Sequence, residues 1–180
     1  MLVLPDGRDS IGGFKIQKKS SYAAYDACGA DFCSIKEIED GVLIIFGDGA
    51  GHGVNESMTA ILCMTVFNST ITEDPSEMLR RINRILFNTK NKAYVMCIRI
   101  RNNEIFYCGR IEEAQLSNRR FDTNCAVLGV SEDYECEAKV AKFEDNDVLI
   151  LRTDGAVFKD PTDDQTEVII RKEGTPVLTS

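Results

Sequence analysis

Seven consecutive positions, Gly47-Asp48-Gly49-Ala50-Gly51-His52-Gly53, carry four glycines, one aspartate and the only histidine of a 180-residue chain. An aspartate set among glycines is either an Asp-Gly turn or a ligand loop, because glycine lets the backbone turn sharply and approach a bound group closely. The apolar run Val42 to Phe46 just upstream reads as a buried strand that delivers Asp48 at its end. The glycine spacing does not match the dinucleotide-binding G-x-G-x-x-G. No Lys-Ser/Thr follows, as a phosphate-cradling P-loop requires.

Recurrence favours a ligand site over a turn. "DVLILRTDG" again ends an apolar strand in Asp154-Gly155; "CGADF" puts Asp31 just before a strand; "TDDQTEVII" puts Asp163 and Asp164 just before the last one. If these strand ends share one rim, two carboxylates about 4 Å apart at an effective dielectric near 20 repel by about 4 kcal/mol, so the cluster needs cations. All-oxygen donors suit Mg²⁺ or Mn²⁺, and two such ions can activate a water and stabilise an in-line displacement at phosphorus. Zinc is disfavoured, because no Cys/His ligand set is at hand.

Those carboxylates must be positioned by strands. Phe14-Lys15-Ile16-Gln17-Lys18 alternates as a strand after the turn residues Pro5-Asp6-Gly7 and Gly12-Gly13, and Phe32–Ile38 and Gly41–Phe46 form a hairpin across "EDG". Two helices follow. From Val54, the residues Met58, Ile61, Leu62 and Val66 predict a core-facing stripe. Asp74 predicts an N-cap, Pro75 a first helical residue and Glu77 a capping box, with Met78, Leu79, Ile82, Ile85 and Leu86 as the buried stripe. "AYVMCIRI", "EIFYCG", "AQLSN", "YECEAKVAKF", "DVLILRT" and "TEVII" then predict strands. Strands, two helices and more strands, without regular alternation, predict an α+β fold of two antiparallel sheets packed as a sandwich flanked by helices.

The length fits one domain, and 43% hydrophobic residues suffice for a sizeable core. A net charge of −8 and a pI near 4.8 argue against a nucleic-acid binder. Arg80, Arg81 and Arg84 read as a solvated helix face or as a docking patch for an acidic partner. Seven scattered cysteines, without C-x-x-C pairs, read as reduced core residues of a cytosolic protein, Cys28 and Cys33 included. No signal-like N-terminus and no run of about 18 apolar residues is present, so a cytoplasmic protein that neither crosses nor binds a membrane is expected.

At "GADF", "GDGAGHG", "LRTDG" and "DDQTEVII", in that order, together with "VLGV" (127–130), the chain resembles the PPM-type (phosphatase 2C-like) metal-dependent protein phosphatases, in particular the compact bacterial SpoIIE/RsbU/RsbX branch. The resemblance covers about Phe14 to Arg171 and implies a single phosphatase domain of αββα architecture. It further implies two Mn²⁺ or Mg²⁺ ions bridged by Asp48, with the Gly49 carbonyl, Asp31, Asp154 and Asp163 completing their shells. A water activated by these ions would attack a phosphoserine or phosphothreonine of a protein, by this resemblance a STAS-type regulator in a bacterial stress or sigma-factor partner-switching circuit. His52 would either protonate the leaving group or hold the loop in shape. Asp164 is expected outside the ligand set, behind it or at the surface. Two departures stand out: Ala30 replaces the second glycine before Asp31, and only eight residues separate Asp154 from Asp163, where most relatives carry a longer segment. The alternative is a catalytically weak module of the same fold that binds a phosphorylated partner.

Overall fold

The computed structural model of the chain describes residues 7–21, 29–50, 54–153 and 164–173. Strand β1 (Gly7–Ile11) and strand β2 (Phe14–Ser21) form a hairpin closed by Gly12 and Gly13, at φ 55° and 79°. Both turn residues are left-handed, as a two-residue hairpin demands. The turn was legible in the sequence but β1 was not, since "GRDSI" is polar and lies at a sheet edge, where no apolar alternation is needed.

Strands β3 (Asp31–Ile38) and β4 (Gly41–Gly49) turn at Glu39-Asp40, and helices α1 (Val54–Ser69) and α2 (Pro75–Thr89) follow. The chain continues through β5 (Ala93–Arg101), β6 (Glu104–Gly109), β7 (Glu113–Leu116), β8 (Arg119–Arg120), β9 (Lys139–Lys142), β10 (Leu149–Arg152) and β11 (Gln165–Lys172). The strands assemble as β3-β4-β5-β6-β9 and β1-β2-β11-β10-β7-β8, and every pairing is antiparallel. The α+β sandwich predicted from the element order is therefore the observed fold.

Two apolar layers hold it together. Between the sheets, Cys33, Ile44, Phe46, Met96 and Ile98 meet Phe14, Ile16, Leu149, Leu151, Val168 and Ile170. On the other face of the five-stranded sheet, Leu43, Ile45, Val95 and Cys97 pack against Cys63, Phe67, Met78, Leu79, Ile82 and Leu86 of the helices. Strand β4 is buried on both faces, which explains its unbroken apolar run. Both described helices cover this one sheet, α1 over β3 and β4, α2 over β5 and β6. The outer face of the six-stranded sheet carries the paired Ile150 and Ile169 beside an ion-pair cluster, in which Arg152 of β10 binds Glu113 at 3.1 Å and Glu167 at 2.7 Å. Partial burial opposes its charge, yet these two carboxylates hold the guanidinium pKa above its ordinary value.

Four sequence expectations are corrected. First, α1 buries only part of the stripe beginning at Met58: Leu62 and Val66 pack partly buried against the core, but Met58 and Ile61 are 50% and 48% exposed, and Ala60, Cys63, Met64 and Phe67 are the residues buried in it. The helix is apolar nearly all round, so periodicity could not choose a face, and small residues allowed the closer approach. Second, Asp74 caps α2 by accepting from the Ser76 N–H at 2.8 Å, but Glu77 closes no capping box; its carboxylate is taken by Arg80 and Arg81. Third, the strand expected from Tyr134 shrinks to Lys139–Lys142, because β6 offers pairing partners to those four residues alone. Fourth, Cys125 and Cys136 are not reduced: the 121–138 segment folds back to bring their Cα atoms within 5.7 Å, and they form a disulfide. Cys33, Cys63, Cys97 and Cys108 are free and buried, and Cys28 lies outside the described residues. No helix among the described residues is long and apolar enough to cross a membrane.

Candidate metal centre

Register builds the site. Asp31 of β3 pairs directly with Asp48 of β4, which pairs on its other side with Tyr94 of β5. Residues two apart on a strand share a face. Cys33 and Phe46 belong to the core between the sheets, so Asp31, Asp48 and Tyr94 form a row on that inner face, at the open end of the sandwich. Directly opposed side chains have Cβ atoms about 5 Å apart, and like charges so placed destabilise the pair unless neutralised.

The opposing sheet contributes the group that orients this row. Thr153, at the end of β10, donates its hydroxyl to Asp31 Oδ2 at 2.8 Å and accepts the Thr166 N–H at 2.9 Å. Its own N–H donates to the Thr166 carbonyl at 3.1 Å. The Thr153 hydroxyl has one proton and lone pairs to spare, so it joins β11 to the carboxylate of β3. Asp164 reinforces the same junction: it is buried, and its Oδ2 accepts the Ala30 N–H at 2.8 Å across 134 residues of sequence. The Ala30 carbonyl in turn accepts the Gly49 N–H at 3.2 Å. Asp164 thus sits behind the site, one of the two places expected for it.

At Gly49 and Gly109 close approach leaves no room for a side chain. A Cβ on Gly49 would lie 2.6 Å from the Glu56 carbonyl, because the first turn of α1 rests against the end of β4. At Gly109, φ is 112° and a Cβ would lie 2.1 Å from the Val95 carbonyl. There the chain leaves β6, and Arg110 anchors the exit by donating its N–H to Val95 O at 2.8 Å. The resulting mouth is a cavity of about 270 Å³ lined by Asp48, Tyr94, Arg110, Ile111, Glu112 and Thr153.

Of the residues singled out in the sequence, the fold brings together Asp31, Asp48 and Gly49. His52, Asp154 and Asp163 lie outside the described residues; Thr153 and Asp164 are the chain neighbours of Asp154 and Asp163. Among the described residues no group of three or more Asp, Glu, His or Cys is gathered tightly enough to hold a metal; the described part of the centre is the Asp31–Asp48 pair. Its chemistry fits a hard divalent cation: two opposed carboxylates and a hydroxyl already engaged as a donor, with no sulfur or imidazole among the described residues that line the cavity. Thr153, Tyr94, Arg110 and Glu112 were not picked out from the sequence. Thr153 is inside the motif that marked Asp154, but the other three reach the site through register and a β6–β7 turn that no local pattern encodes.

The family profile of Stage II sporulation protein E (SpoIIE) matches residues 38–175 of the chain. Among solved structures, RsbX in complex with magnesium superposes with a TM-score of 0.81 at 14% identity, covering 92% of this chain and 98% of that one. The RsbU and RsbW domains of a Mycobacterium tuberculosis protein give a TM-score of 0.75 at 15% identity, covering 92% of this chain and 63% of that longer one. The S. agalactiae serine/threonine phosphatase gives 0.70 at 12% identity, over 89% of this chain and 100% of that one. A comparison with curated proteins finds no match. At these identities the structural likenesses speak for the fold.

Proposed function

The chain belongs to the SpoIIE family, within the PPM-type phosphatases, and from that membership we propose that it is a metal-dependent serine/threonine phosphoprotein phosphatase. The observation that carries the reading is the Asp31–Asp48 pair on the inner face of the sandwich mouth. Asp31, Asp48, the Gly49 carbonyl, Asp154 and Asp163 would hold two Mn²⁺ or Mg²⁺ ions, in a single domain with its core over about residues 14–171. Bound there, the ions would neutralise charge on the phosphoryl oxygens and lower the pKa of the attacking water.

The chain's own residues have separate tasks. Thr153 fixes the Asp31 carboxylate through its 2.8 Å hydrogen bond. Asp164 fixes the backbone before Asp31. His52 is assigned the proton delivered to the leaving serine or threonine oxygen, a role that a pH–rate profile of His52→Ala would separate from simple loop support. The substrate class we propose is a phosphorylated STAS-type regulator of a partner-switching circuit, acted on in the cytoplasm. Support comes from the fold shared with RsbX and with the RsbU domain.

Phosphate release from an aryl phosphate and from a phosphorylated STAS domain tests this. Turnover should require Mn²⁺ or Mg²⁺ and fall by roughly a thousandfold or more in Asp48→Ala, since loss of a carboxylate that would hold the ions removes several kcal/mol of charge stabilisation. Wild-type turnover that persists in EDTA would refute the proposal.

A further inference from the structure

We propose that Arg110 is the phosphate-binding residue of this mouth, its guanidinium held over Tyr94 to receive the dianionic phosphoryl group of the substrate; this rests on the phosphatase reading above. Position comes first. Tyr94 stands directly beside Asp48 in the sheet, about one strand spacing of ~4.8 Å away. The Arg110 guanidinium carbon lies 5.8 Å from the centroid of the Tyr94 ring. That stacking costs the guanidinium none of its five donors, which stay directed at solvent or a ligand. Arg110, Asp48 and Thr153 line the same cavity, so a phosphoryl group approaching the Asp31–Asp48 pair enters beside the arginine.

Charge comes second. The described side chains lining the cavity include two carboxylates, Asp48 and Glu112, and Arg110 is the one cation among them. On its way to the ions proposed above, a phosphate dianion passes the Asp48 and Glu112 carboxylates, and Arg110 is the described lining side chain whose charge offsets theirs. Among the other exposed arginines described, Arg80 and Arg81 are committed to Glu77, and Arg84, Arg119 and Arg120 do not line this cavity. Arg110 is exposed, and its guanidinium makes no ion pair among the described residues. Its backbone is fixed by the Val95 hydrogen bond and by a glycine that tolerates no side chain. A pre-positioned, uncommitted guanidinium matches the oxygens of a phosphate in bidentate fashion, which a lysine cannot reproduce.

The experiment titrates inorganic phosphate calorimetrically into the full chain, with and without Mn²⁺, so that it does not depend on turnover. Arg110→Ala should weaken phosphate binding roughly 10- to 100-fold, the range of a charge-assisted hydrogen-bonded pair. Arg110→Lys should recover only part of the loss, and Mn²⁺ affinity should be unchanged in both variants. With an aryl phosphate, KM should rise by a similar factor in Arg110→Ala. A wild type that binds phosphate no more tightly than Arg110→Ala overturns the proposal, whatever its turnover. If the variant loses phosphate while the wild type shows no Mn²⁺-dependent hydrolysis, the subsite stands and the phosphatase reading falls. Mn²⁺-dependent hydrolysis with equal phosphate affinity in both proteins does the opposite: the subsite falls and the phosphatase reading stands.

Discussion

At the scale of single residues, the site turns on a threonine. Thr153 supplies one hydrogen bond to Asp31 and receives one from the backbone of β11, and it is buried. Thr153→Val keeps the shape and deletes both bonds, leaving a buried N–H and a carboxylate oxygen short of partners. The expected cost is about 1–3 kcal/mol by urea unfolding, together with a roughly 10- to 100-fold loss of Mn²⁺ affinity, because the group that orients a carboxylate also tunes it as a ligand. Unchanged metal affinity in a folded Thr153→Val chain would show that Asp31 needs no such support. The aspartates themselves were legible from their place at strand ends. Their orienting partner was not, since the contact joins residues 122 apart in sequence.

Between helix and sheet, α1 and α2 illustrate two degrees of legibility. Helix α2 has charged residues on one side, a capping aspartate, a proline at its first position and a left-handed Lys90 at its end, so its buried stripe of Met78, Leu79, Ile82 and Leu86 follows from sequence. Helix α1 has one charged residue, Glu56, and several faces that could be buried. Packing chose the face carrying Ala60, Cys63 and Phe67 and left Val54, Met58 and Ile61 toward solvent. Paired substitutions test that choice: Phe67→Ala should cost about 3–5 kcal/mol, whereas Met58→Ala should stay within about 0.5 kcal/mol. Equal losses by thermal or urea unfolding would mean the helix is rotated relative to this description. Gly49→Ala probes the junction of α1 with β4. The added methyl meets the Glu56 carbonyl, so a loss of about 1–3 kcal/mol is expected.

For the whole molecule, stability is coupled to pH through buried thiols. Burial pushes the thiols of Cys33, Cys63 and Cys108 from 9.0 up to about 12, and Cys97 well above its ordinary value. The folded-state value is therefore raised above the unfolded one. The stability these thiols contribute is fully present below pH 9 and is lost as pH climbs toward 12. Each thiol costs about 1.4 kcal/mol per pH unit in that window, so the four together lower the unfolding free energy by roughly 5 kcal/mol at pH 10 relative to pH 8. Urea unfolding at a series of pH values measures the slope, and a flat profile from pH 8 to 10 would contradict it. The Cys125–Cys136 bridge adds a separate constraint. Closing so short a loop is worth about 3 kcal/mol in the chain-entropy account. Cys125→Ser should lose about that much.

Local chemistry alone determined both helices, most of the strands, the cap of α2 and the aspartates poised at strand ends, because each of these follows from periodicity or turn chemistry within a few residues, and the order of those elements gave the antiparallel class. Tertiary structure alone decided that Asp31 stands opposite Asp48, that Thr153 reaches Asp31, that Arg110 overhangs Tyr94, that two cysteines join and that α1 shows an apolar flank to water. Register between strands and the pairing of distant segments are settled by how whole surfaces pack, and no window of sequence contains both surfaces.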